Sequence, residues 1–109
     1  MDLIQSDEKL KSAIKVLKDE FQPARLILFG SRATGTDTED SDYDFVMVVP
    51  GSNDDQLDEI RRARNLLVKI GMDADIFIYS QSEFDEWKDE FSSIPEVAAS
   101  TGYEIDLHE

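Results

Sequence analysis

The chain predicts one α+β (mixed α/β) domain spanning residues 1–109. Three observations predict it. Two apolar runs, Leu26–Phe29 and Phe45–Val49, are strand-length and stop at Gly30 and at Pro50-Gly51. Amphipathic segments of helical period stand before, between and after such runs. The 109 residues, 40% of them hydrophobic, match one domain with one core.

Residues 6–21 predict the first helix. Ser6 is placed to cap it, Asp7 and Glu8 favour its first turn, and Leu10, Ala13, Ile14, Leu17 and Phe21 share one face. Pro23 ends it. Leu26–Phe29 then predicts a buried central strand. Residues 35–42 are polar throughout and predict a loop. Phe45–Val49 predicts a second buried strand. Asp54 or Asp55 caps a second helix running to about Ile70, with Leu57, Ile60, Ala63, Leu67 and Ile70 as its apolar stripe and Gly71 as its stop. Asp75–Tyr79 predicts a third strand. Ser80 or Ser82 opens a third helix over residues 83–91, with Phe84, Trp87 and Phe91 on its core side. A short helix follows Pro95, and residues 102–107 add a small final strand. No repeat, low-complexity tract or linker interrupts this order.

Composition narrows the function. Eleven Lys plus Arg face 25 Asp plus Glu, a net charge of −14. Such a balance opposes autonomous binding to nucleic-acid phosphates and to anionic membranes. Neither apolar run approaches the roughly 18 residues needed to cross a bilayer, and the first residues lack a signal-peptide pattern, so a cytoplasmic protein is expected. The absence of Cys excludes disulfides, thiolate metal sites and a Cys nucleophile. The single His108 excludes a multi-His metal site. A bound metal would therefore take oxygen ligands, which suits Mg²⁺, Mn²⁺ or Ca²⁺.

Three motifs carry chemistry. Gly30-Ser31-Arg32-Ala33-Thr34-Gly35 follows a buried strand directly. A strand running into a Gly-Ser turn bares backbone N–H groups that suit phosphate, and Gly30 lets a ligand approach its backbone. The Gly-x-x-x-x-Gly spacing is followed by Thr36 rather than Lys, so the Walker reading fails, and an ordinary strand-to-helix turn is the competing account. Ser41-Asp42-Tyr43-Asp44 opens the next strand. On an extended chain Asp42 and Asp44 face the same way, and two such charges repel unless a cation lies between them. Asp73-x-Asp75 repeats the pattern, with Asp75 inside the apolar strand, where a carboxylate is costly unless paired or metal-bound. Solvated loop acids in a very acidic chain are the bland alternative for both pairs. If the three strands are neighbours, three carboxylates and a phosphate turn converge, which is the layout for metal-assisted nucleotidyl transfer.

Gly30-Ser31, about ten residues, then Asp42-x-Asp44, with Asp75 downstream, resembles the minimal nucleotidyltransferases of the DNA polymerase β superfamily. The resemblance covers nearly the whole chain, including a closing helix and strand over residues 94–107. It implies a central mixed sheet of about three to five strands flanked by helices. It implies that Asp42, Asp44 and Asp75 are the catalytic, metal-holding carboxylates, for two Mg²⁺ ions or for Mn²⁺, with Asp75 also taking the acceptor's proton. It implies that Gly30 and Ser31 contact the phosphates of ATP, with Ser41 beside them; Arg32 adds charge there or serves a structural ion pair. It implies transfer of AMP to a hydroxyl, typically tyrosine, of a HEPN-domain partner whose toxicity this chain would neutralise as an antitoxin. Thr34 stands where many relatives carry a basic residue, and Phe45 where Leu is common.

Haloacid-dehalogenase phosphatases fit less well, because their nucleophilic Asp ends an apolar strand, whereas here the run follows Asp44. Glycosyltransferase Asp-x-Asp motifs lie in much larger domains. The rival of another class is a noncatalytic module that binds nucleotide or neutralises a partner by contact alone, with or without bound nucleotide. Arg61, Arg62 and Arg64 form the one basic run, read as a solvated face or else as a contact to partner or triphosphate. The acidic excess would complement a basic partner.

Overall fold

A computed structural model describes residues 8–30, 43–50 and 56–107. The elements in chain order are α1 (Glu8–Phe21), β1 (Arg25–Phe29), β2 (Tyr43–Val49), α2 (Gln56–Lys69), β3 (Ala74–Ser80), α3 (Gln81–Trp87), α4 (Ile94–Thr101) and β4 (Tyr103–Glu104). The order matches the expected alternation. The caps expected at Ser6 and at Asp54 or Asp55, and the loop over residues 35–42, lie outside the described residues.

The four strands form one mixed sheet in the order β3-β2-β1-β4. β1 pairs antiparallel with β2 and with β4, while β2 and β3 run parallel. Alternation along the strands sends Leu26, Leu28, Phe45, Met47, Ile76 and Ile78 to one face, where Leu10, Ala13 and Leu17 of α1 and Ala63 and Leu67 of α2 cover them. Ile27, Val46 and Val48 point to the opposite face, against Phe84 of α3 and Ala98 of α4. Each fully buried side chain of this size contributes about 1.5–3 kcal/mol. With helices on both faces, β2 reads as a nearly continuous apolar run.

Local chemistry fixes the helix ends. Gly71, at φ +81°, closes α2: Met72 N–H donates to Leu67 O at 3.0 Å and Gly71 N–H to Val68 O at 2.9 Å. This paired return of N–H groups is the Schellman arrangement, and the buried Met72 and Leu67 supply its apolar contact. Ser80 caps α3, its Oγ accepting from Glu83 N–H at 3.2 Å while Glu83 Oε1 accepts from Ser80 N–H at 3.0 Å.

Two expected core assignments are corrected. Leu57 is 70% exposed. At 3.6 residues per turn it lies about 90° from the centre of the arc holding Ile60, Ala63 and Leu67. On α3 only Phe84 is buried; the helix ends at Trp87, so Phe91 is off the helical stripe and 91% exposed, and Trp87 is 48% exposed. The final strand is also shorter than residues 102–107, spanning only Tyr103–Glu104.

β4 is fastened to β1 by a forked ion pair. Arg25 Nε and Nη2 donate to Glu104 Oε2 and Oε1 at 3.0 and 2.7 Å, and the guanidinium also lies 4.8 Å from the Phe84 ring centroid. These hydrogen bonds hold the Glu104 carboxyl below the usual glutamate range. The pair's contribution is therefore full above the unfolded glutamate value of about 4.3 and is lost as pH falls through the lower folded value. Urea denaturation between about pH 6 and pH 3 should show a steeper acid loss for the wild type than for Glu104→Gln. Parallel curves would mean that the pair adds nothing.

Candidate active site

The site is built where β1 ends and β2 and β3 begin. In the register of the sheet Phe29 lies opposite Asp44, and Asp44 opposite Asp75. Because β2 and β3 are parallel, their first residues fall at the same end of the sheet, beside the last residue of antiparallel β1. Tyr43 N–H donates to Asp73 O at 3.3 Å and carries this alignment one step beyond the ladder. β2 starts at Tyr43, two residues ahead of the apolar run, so Asp44 stands within the sheet and is half-buried. Asp75 is exposed on β3.

Gly30 follows β1 directly with φ +78°, a conformation that glycine adopts freely. A Cβ placed on it would lie 2.5 Å from Asp44 Oδ2. The missing side chain is what lets the Asp44 carboxylate lie over the Gly30 backbone. Three of the expected site residues, Gly30, Asp44 and Asp75, are thus brought together from three adjacent strands. Ser31, Arg32, Ser41 and Asp42 lie outside the described residues.

Two carboxylates directly opposed on neighbouring strands repel each other, a cost relieved by a cation. Their oxygen-only donors, with no Cys or His near them in sequence, suit a hard divalent ion such as Mg²⁺. Among the described residues no three His, Cys, Asp or Glu side chains form a metal-holding group; Asp42, the expected third carboxylate, is not among those residues.

The surroundings of the pair add two features that periodicity alone does not reveal. Phe29 and Phe77 lie on the same sheet face as the acids, their ring centroids 6.1 Å apart and tilted at 50°. Both pack against the core under α3 and α4, so that side of the site is apolar. On the other side, Arg64 of α2 lines a cleft with Val68, Asp73, Ala74 and Asp75. Its neighbour Arg62 is turned away, with Nη2 donating to Glu20 at 2.6 Å and its guanidinium 4.7 Å from the Phe21 ring. Helical angles separate these two arginines, so within the basic run Arg62 is structural and Arg64 faces the cleft.

Comparison with known proteins bears on the family and the fold. Residues 10–72, more than half of the chain, match the nucleotidyltransferase domain family model. The matched span includes Gly30 and Asp44 and stops three residues short of Asp75. No curated protein matches. The fold is similar to a crystal structure from Sulfolobus solfataricus whose description as a nucleotidyltransferase is provisional, with a TM-score of 0.53 and 23% identity, covering 80% of this chain and 78% of that one. The similarity bears on the fold. Among the described residues no helix is long and apolar enough to cross a membrane.

Proposed function

The chain belongs to the nucleotidyltransferase domain family, and from that premise we propose that it transfers AMP from ATP to a hydroxyl, a tyrosine in this reading, on a HEPN-domain partner, acting as that partner's antitoxin in the cytoplasm. The observation that carries the transferase reading is the alignment of Asp44 with Asp75 across the parallel β2–β3 pair, with Gly30 beneath the Asp44 carboxylate.

In this reading Asp42, Asp44 and Asp75 hold Mg²⁺. When bound, such an ion would supply charge neutralisation and Lewis-acid polarisation of the phosphate undergoing transfer. Gly30 and Ser31 hold the outer phosphates, since a backbone without Cβ can approach them closely. Asp75 accepts the acceptor hydroxyl's proton. The acceptor oxygen bonds to the α-phosphorus, the bond from that phosphorus to the bridging oxygen breaks, and pyrophosphate leaves. The half-buried Phe29 and Phe77 exclude water from one side, which limits hydrolysis of ATP.

Co-expression with the HEPN partner tests the proposal by intact mass. An AMP-sized increment on the partner is expected, together with its absence when purified components and ATP are mixed in EDTA. A stable complex that gains no increment with Mg²⁺ and ATP would instead mean neutralisation by contact alone.

A further inference from the structure

The cleft at the outer edge of β3 has a defined chemistry. It holds about 300 Å³ and is lined by Arg64, Val68, Asp73, Ala74 and Asp75. Arg64 makes no ion pair among the described residues. It does not stand alone. At 100° per residue Leu57, Arg61, Arg64 and Val68 fall within an arc of about 60° on α2, forming one stripe that leads into the cleft. Leu57 is 70% and Val68 62% exposed, and the Arg61 side chain, 3.8 Å from Asp58 in a surface ion pair, is 77% exposed. Two cationic residues flanked by two apolar ones on an open helix face stand out in a chain of net charge −14.

Strand order says what should come here. In-line transfer places the leaving pyrophosphate and the entering hydroxyl on opposite sides of the phosphorus. Gly30 lies at the end of β1, Asp44 on β2 and Asp75 on β3, so the three follow one another across about 10 Å. If the outer phosphates sit at Gly30, the acceptor enters from the β3 edge, where the cleft is. Resting on the transferase reading above, we propose that the α2–β3 cleft is the acceptor site, and that the Leu57–Val68 stripe docks an extended, acidic and apolar segment of the acceptor protein.

The charges assign the segment's parts. The cleft floor is acidic at Asp73 and Asp75, so the hydroxyl belongs there and a carboxylate does not. Acidic side chains of the segment meet Arg64 and Arg61 further up the helix, and apolar ones meet Val68 and Leu57. Leu57 to Val68 spans about 16 Å along the helix, the length of about five extended residues. The acids recognised therefore lie within about four positions of the hydroxyl.

Two fluorescent peptides test the surface: a tyrosine flanked within four positions by glutamates and a leucine, and the same peptide with lysines for glutamates. Anisotropy should give about tenfold tighter binding of the glutamate peptide to the full-length protein, weakening as salt rises. Arg61→Glu, a turn up the helix from the cleft, should erase the preference for the glutamate peptide while calorimetry finds Mg²⁺-ATP affinity within about twofold of wild type. Equal binding of the peptides, or an order that survives the charge swap, overturns the proposal. So does a swap that costs ATP affinity instead, which would give the guanidinium to the nucleotide. Charge-dependent binding without label transfer from α-labelled ATP upholds the docking surface and counts against the transferase reading.

Discussion

Asp44→Asn is expected to lower nucleotidyl transfer by about three orders of magnitude while the protein stays folded. Asparagine keeps the shape of the side chain and removes only its charge. The charge is what a site of this kind needs, because holding a divalent ion beside a triphosphate depends on anionic ligands. The fold is expected to keep its stability without it. Asp44 faces Asp75 across the parallel pair, and relieving that repulsion offsets whatever contacts the change disturbs. Thermal melting should therefore show stability within about 0.5 kcal/mol of wild type, or slightly above it. Transfer of label from α-labelled ATP measures the other half. Activity near wild type would remove Asp44 from the site, and a collapsed fold would make it structural. Loss of activity at unchanged stability is what separates a ligand from a sheet residue.

The sequence made the strands visible for a simple reason. β1 and β2 are covered on both faces, so their apolar runs are continuous and need no phase. The cap of α3 was legible only as Ser80 or Ser82; the structure selects Ser80, which Glu83 completes into a capping box within one turn. Other features depend on pairing that no local signal encodes. β2 begins at Tyr43 and not at Phe45 because ladder bonds to β1 and β3 continue past the apolar run, and this extension is what places Asp44 in register with Asp75. Leu57 and Phe91 look like core residues by hydropathy alone. One lies off the arc that α2 turns inward, and the other lies past the end of α3. Arg64 could have been separated from Arg62 by helical angle, but the cleft it lines exists only once α2 is laid beside β3. The site's residue types were thus readable before its geometry, and parallel strand pairing supplied the geometry.

The second large effect concerns Gly30. Gly30→Ala is expected to destabilise the protein by about 2–3 kcal/mol and to reduce transfer about a hundredfold. Two causes add, and they can be separated. The first is backbone conformation: at φ +78° an alanine pays about 1 kcal/mol wherever it stands. The second is specific to the site. The new Cβ would lie 2.5 Å from Asp44 Oδ2 and 3.4 Å from its Cγ, but 3.6 Å from its Cβ, an ordinary contact. Truncating Asp44 to alanine therefore removes the clash and leaves the backbone cost. In an Asp44→Ala background Gly30→Ala should cost only about 1 kcal/mol, so the double-mutant cycle should show a coupling of about 1–2 kcal/mol. A cycle that closes to zero would mean that the glycine serves its turn or an approaching phosphate without touching the carboxylate. A clear coupling would tie the glycine of the Gly-Ser motif to the second acid of Asp-x-Asp by direct contact. The spacing between the two motifs would then follow from the length of chain needed to bring the end of β1 back beside the start of β2, so that one carboxylate can rest on a backbone that carries no side chain.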